Sequence, residues 1–363
     1  MKFPELAYID WAKSLPRVEV NLARSGVALC PPSLLGLTTP DLVATLPVKY
    51  GYAPLREAIA ARYDARRDQV FAVSGGTSYA NWLACLSVLD GCSQGTEVIV
   101  ERPTYEPLLK IPRTLGYRVR RLDRRFEDGY AIDLDRFASL VTTKTRLAIV
   151  TNLHNPSGAR IPMATLRAMA TLLARVKAQL LVDEVYLECV FRTRPESCVH
   201  AGPNVLTTNS LTKAYGLDGL RAGWILGPPA MIARAQRISD LMTNNSVAAG
   251  ERMALAAFRR LREIDRRAHG ILDANLARVQ AFFVREPRLR AVLPEGGNVV
   301  FPRLPSAIDS DRLVRHLVKN ASTLVVPGRF FEAPRHIRLS FGCSPSLLER
   351  GLLNLSRALD DLS

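Results

Sequence analysis

Four residues with chemical potential are packed into one short stretch. Ser210, Thr212 and Lys213 precede Gly216, Gly219 and Arg221, and two apolar, strand-like runs at 204–208 and 223–226 enclose the group. Glycine lets a backbone come close to a ligand. Serine hydroxyls and a guanidinium fork are good partners for a phosphate. A lysine amine beside a phosphate site suits one chemistry in particular, the holding of an aldehyde cofactor as a Schiff base.

Further along the chain, similar groups stand where strand-like runs end. Residues 70–73 are apolar, and Ser74-Gly75-Gly76-Thr77-Ser78 leads from them into a helix expected at 79–89. Free N–H groups and the positive dipole end make such a turn an anion site. Pro103-Thr104-Tyr105 follows a strand at 97–100, and Asn155-Pro156-Ser157-Gly158 follows a fully apolar one at 147–150. Asp183 ends the apolar run 179–182, and a carboxylate buried there requires a partner. Arg338 lies in His336-Ile337-Arg338-Leu339-Ser340-Phe341, a strand-like run whose guanidinium could grip a carboxylate through two bonds.

In this order, from Gly51 to Leu226 and again at Arg338, the motifs resemble those of the fold-type I, class I/II aminotransferases that use pyridoxal 5'-phosphate. The resemblance implies that Lys213 carries the cofactor and acts as general base on the substrate's α-proton. It implies that Ser210, Arg221, Gly76 and Thr77 hold the phosphate. Tyr105 would stack on the ring, Asp183 would face the ring nitrogen, and Asn155 and Tyr186 would face the phenolic oxygen. Arg338 would bind the substrate carboxylate, and Gly26, in Leu22-Ala23-Arg24-Ser25-Gly26, would cover the substrate. His154 is expected to support its neighbours, not to react. Many members of the family carry a Tyr that reaches the neighbouring subunit's phosphate. The corresponding position here is Leu46, with Tyr50 as the substitute, and a homodimer is implied.

The elements that must position these groups alternate between strand and helix, which argues an α/β fold. Its mostly parallel central sheet, flanked by helices, forms a large domain at residues 48–270. A small α+β domain is built from 271–363 together with an N-terminal arm at 1–47. In that arm Tyr8 and Trp11 are expected to pin the chain to the core, with lining of the site as the alternative. The chain has 363 residues and is 48% hydrophobic. Its six cysteines show neither CxxC nor zinc spacing, and its five histidines do not pair as ligands, so no metal is expected. No run is long enough to span a bilayer and no leader pattern opens the chain, so a cytoplasmic enzyme with no membrane partner is expected.

The formal net charge of +15 invites a nucleic-acid reading. The arginines are dispersed, however, and residues 1–47 are too short and too broken by proline to form the DNA-binding module of an aminotransferase-like regulator. The reading is therefore a transaminase moving an amino group between an L-amino acid and a 2-oxo acid. The alternative on the same scaffold is elimination, decarboxylation, cyclisation or oxidation. In dicarboxylate-specific members an Arg from the neighbouring subunit meets the substrate's distal carboxylate; a gapless comparison puts Asp240 at that position, so the expected donor is not dicarboxylic, with a basic donor the bolder choice.

Overall fold

The computed structural model describes residues 3–42, 50–190 and 196–363; Leu46 lies outside them. After a short β1 (Val20–Asn21), seven strands build the central sheet: β2 (Val70–Ser74), β3 (Glu97–Arg102), β4 (Arg118–Asp123), β5 (Thr145–Thr151), β6 (Gln179–Asp183), β7 (Val205–Ser210) and β8 (Ala222–Leu226). Their order is β2-β8-β7-β6-β5-β3-β4. The pairs from β7 to β4 are parallel, and β8 runs antiparallel to both β7 and β2. Parallel strands covered on both faces read as continuous apolar runs, and β5 and β6 do so because Leu147–Val150 and Leu180–Val182 are essentially inaccessible. One layer of core lies between the sheet and the helix Gly76–Leu89. A second lies against the helix Met163–Ala174 on the other face.

The remaining strands are short. β9 (Val299–Val300) pairs with β12 (Ile337–Ser340), which pairs with β11 (Val326–Pro327), while β10 (Thr323–Leu324) joins β1. Apolar positions along the 25-residue helix Leu261–Arg285 and the C-terminal helix Pro345–Leu362 close the core beneath these strands.

One helix starts earlier than the sequence suggests. The helix expected at 79–89 begins at Gly76. Its first turn is Gly-Thr-Ser, three poor helix formers, and it is held by the Arg221 carbonyl, which accepts the N–H groups of Gly75 and Gly76 at 2.7 and 2.8 Å. In the long helix Leu261–Arg285, Gly270 sits on the exposed side, where its helix cost is borne without a packing defect.

Candidate active site

A cavity of about 320 Å³ opens beyond the carboxyl ends of the parallel strands, where ligands bind in open α/β sheets. Sheet register places the acidic group. Asp183 is the last residue of β6, beside Thr151 of β5 and Thr208 of β7. Asn81 Nδ2 donates to Asp183 Oδ2 at 2.8 Å, and the Val185 N–H donates to Oδ1 at 3.0 Å. Thr208 Oγ1 in turn donates to Asn81 Oδ1, which fixes the amide's orientation. Burial raises the Asp183 carboxyl to about 6, against these hydrogen bonds and the nearby Lys213, which pull it down. An anion kept in this place calls for a cation facing it. The next residue, Glu184, points to the other side of the sheet and accepts bonds from Ser197 and Cys198. The strand ends at Asp183, and the turn that follows brings Tyr186 round to the cavity.

Lys213 lies in the connection between β7 and β8. Its Nζ donates to Ser25 Oγ at 2.9 Å. Burial and the Arg338 charge bring the amine down to about 8, with Arg221 and Arg24 adding to the effect and Asp218 opposing it. The amine is therefore largely protonated below pH 8 and a nucleophile above it. Uptake of an aldehyde cofactor by the apo form should accelerate with pH and level off above about 8. Stopped-flow absorbance measures this, and a profile centred near the usual lysine value, above 10, would show that the site does not tune the amine.

Opposite Asp183 lies a seat for an anion. Thr77 and Ser78, in the first turn of the helix Gly76–Leu89, border the cavity with Thr212 and Arg221. Gly223 lets strand and helix approach: a Cβ there would come 2.6 Å from the Gly76 carbonyl carbon. Arg221 has φ +50° and its Nη2 donates to the Gly75 carbonyl at 2.6 Å. Thr212 Oγ1 is buried with no hydrogen-bond partner among the described residues. An unsatisfied hydroxyl, a helix N-terminus and a guanidinium around one space fit a phosphate group. With the Asp183 carboxylate and the Lys213 amine in the same cavity, the residues fit pyridoxal 5'-phosphate.

The structure brings Lys213, Asp183, Thr77, Tyr105, Asn155, Tyr186, Arg221 and Gly26 to this cavity. Three expected residues stand one layer behind it. Gly76 uses its N–H on the Arg221 carbonyl, so it shapes the seat without donating to it. Ser210 Oγ accepts from Thr77 Oγ1 at 2.8 Å and from the Thr212 N–H at 3.3 Å. Arg338 is 1% exposed and donates to Asn155 Oδ1, Tyr8 Oη and the Ala23 carbonyl at 3.1, 2.9 and 3.2 Å. Tyr50, expected to reach the neighbouring subunit's phosphate, lies outside this cavity. It borders a separate cleft with Tyr79, Ser239 and Asp240, so neither Tyr50 nor Asp240 reaches the cavity of its own chain. His154 is buried and bonds to Ser157 Oγ and the Pro103 carbonyl, a supporting position.

Sequence reasoning gave no role of their own to Asn81, Ser78, Ser25 and Thr212. Asn81 carried a signal, since it lies four residues after Thr77 and so on the same helix face. Tyr8 and Trp11 do both things weighed for them. They pack on Phe330, and they line the cavity.

The model of the family described as aminotransferase class I and II matches residues 43–355. Capreomycidine synthase of Streptomyces vinaceus is 32% identical over 90% of this chain and 84% of its own length. Arginine–pyruvate transaminase of Pseudomonas aeruginosa is 29% identical over 80% of this chain and 76% of its own. Among solved structures, a PLP-dependent aminotransferase from Streptococcus suis superposes with TM-score 0.93 at 24% identity, covering 100% of this chain and 99% of that one. A PLP-dependent cyclase superposes with TM-score 0.89 at 28% identity, covering 100% and 98%.

Proposed function

This chain belongs to the class I and II aminotransferase family and is a pyridoxal 5'-phosphate-dependent enzyme, and from that premise we propose that it transfers the amino group of a basic L-amino acid to a 2-oxo acid. The observation that carries the reading is the convergence of one tuned amine, one buried carboxylate and one anion seat on a single cavity. When bound, the cofactor supplies an aldehyde that condenses with amines and a ring that accepts the electron pair of a broken Cα–H bond. Lys213 Nζ anchors it, then takes and returns the substrate's α-proton. Asp183 would hold a proton on the ring nitrogen, and the Asn81–Thr208 chain keeps its carboxylate in place. Thr77, Ser78, Thr212 and Arg221 would hold the phosphate, with Ser210 orienting Thr77. Tyr105 and Tyr186 frame the ring, and burial raises both phenols, so they stay protonated donors. Arg338 binds the α-carboxylate, which reaches it by taking the place of Asn155 or Tyr8.

The choice of a basic donor is supported by the name of the arginine–pyruvate transaminase. The test is a spectral scan of the purified enzyme against single amino acids, followed by identification of the oxo acid. Bleaching by aspartate in preference to arginine would overturn the choice. A second reading, cyclisation of an amino acid, is favoured by the match to the cyclase structure and by the 32% identity with capreomycidine synthase. It predicts a product that keeps its nitrogen, with no amino acid formed from added pyruvate.

Arg338→Lys should raise KM for every α-carboxylate at least about tenfold, because an ammonium has no bidentate fork, while the cofactor spectrum stays as in the wild type. An unchanged KM would move the role to Arg24 or Arg335. We also propose that the enzyme works as a cytoplasmic homodimer. Leu241, Met242 and Val247 are exposed at 90%, 50% and 61% around the Tyr50 cleft, and an apolar patch of this kind suits a second copy.

A further inference from the structure

Five charged residues line the cavity: Arg24, Asp183, Lys213, Asp218 and Arg221. Three have work to do on the cofactor under the function proposed above, on which this inference rests. Arg24 and Asp218 do not. They face each other at the cavity's mouth with Arg24 Nη2 3.5 Å from Asp218 Oδ2, both roughly half exposed. A pair at that distance and exposure is weak and easily exchanged. Its two members are held differently. Asp218 lies on the short connection that carries Lys213 and Arg221. That connection is pressed against the arm at Gly216, whose φ is +67° and where a Cβ would come 2.4 Å from the Ala28 carbonyl. Arg24 reaches in from the arm on a long side chain that can swing to solvent.

We infer that Asp218 is the residue that reads the substrate's side chain, accepting a cationic ω-group in place of the Arg24 guanidinium. The aliphatic stem of such a substrate would run along Trp11, Leu15 and Leu29, which line the same cavity. Both Asp218 and Arg24 lie close enough to the reacting amine to act on its charge, in opposite senses. A cation taking Arg24's place leaves that balance intact. A side-chain carboxylate would face Asp218 as a like charge, and rejection of this kind sets specificity as much as attraction does.

The test compares arginine, lysine, norleucine and glutamate, with kcat/KM and with dissociation constants from titration of the cofactor absorbance. Asp218→Asn keeps shape and removes charge. It should lower the arginine-to-norleucine ratio at least tenfold in both quantities. Arg24→Ala removes the competitor and should raise the ratio. A ratio that Asp218→Asn leaves within twofold, or that Arg24→Ala lowers, overturns the inference. So does a wild-type enzyme that prefers norleucine or glutamate, although transamination itself would then stand. If no amino acid in the panel changes the wild-type spectrum, the proposed function fails and the inference fails with it.

Discussion

Lys213→Ala is expected to abolish the visible absorbance of the lysine-linked cofactor and to cut turnover by at least about 10⁴-fold, the upper end of what a positioned general base contributes. Two roles end together. The variant has no amine to anchor the cofactor and no group to carry the α-proton. The nearest other groups do not substitute. Ser25, which accepts from Lys213 Nζ at 2.9 Å, is a hydroxyl and not an amine, and a guanidinium such as that of Arg221 or Arg338 offers no amine to condense with an aldehyde. The fold should persist, because Lys213 contributes one side-chain hydrogen bond and its backbone is held independently. The Val27 N–H donates to the Lys213 carbonyl at 2.9 Å. Absorbance spectra, single-turnover kinetics and circular dichroism together check this. Retained absorbance with multiple turnover would remove Lys213 from the mechanism.

Asp183→Asn should lower kcat at least about a hundredfold, roughly 2.7 kcal/mol of transition-state stabilisation, with little change in KM. The substitution is close in shape. The remaining oxygen can accept from Asn81 or from the Val185 N–H, according to the amide's orientation, so one of the two bonds is kept. The negative charge facing the ring nitrogen is lost, so the nitrogen gives up its proton more readily and the ring becomes a poorer electron sink. A fall in kcat without a rise in KM marks an interaction made in the transition state and not in substrate binding. The isotope effect on the α-hydrogen should grow as proton removal becomes rate-limiting. A change in kcat below about tenfold would assign Asp183 a structural role only.

Much of this site was legible in the sequence because its groups stand at strand ends, where an apolar run stops and a turn begins. Asp183, Asn155, Tyr105 and the Lys213–Arg221 segment all obey that rule, and chain order supplied the rest. What escaped reading depends on contacts between distant residues. Nothing local says that Asn81 will meet Asp183, 102 residues later, or that Ser25 will meet Lys213, 188 residues later. The arm escaped for the same reason. Its short helix Ala7–Lys13 is attached through the N–H groups of Ala7 and Tyr8 to the Glu106 carboxylate, and its Tyr8 hydroxyl accepts from Arg338, 330 residues away. Asp218 stood within the first motif considered, but its meaning depends on Arg24.

The antiparallel insertion of β8 between β7 and β2 has a consequence for how such an enzyme can change. Lys213 and Arg221 are separated by one loop whose two ends are stitched into the same ladder, Ser210 opposite Gly223 and Ser74 opposite Ala222. Amine and phosphate anchor therefore cannot drift apart without breaking the sheet. Under the proposals above, the loop would contribute only Asp218 to the reading of a substrate's side chain, and the apolar surface would come from Trp11, Leu15 and Leu29 of the arm, a segment that among the described residues shares no ladder with the central sheet. Mutations there can retune which amino acid is accepted while the reactive centre is inherited intact. Divergence between relatives of this fold should accordingly accumulate in the arm ahead of the sheet.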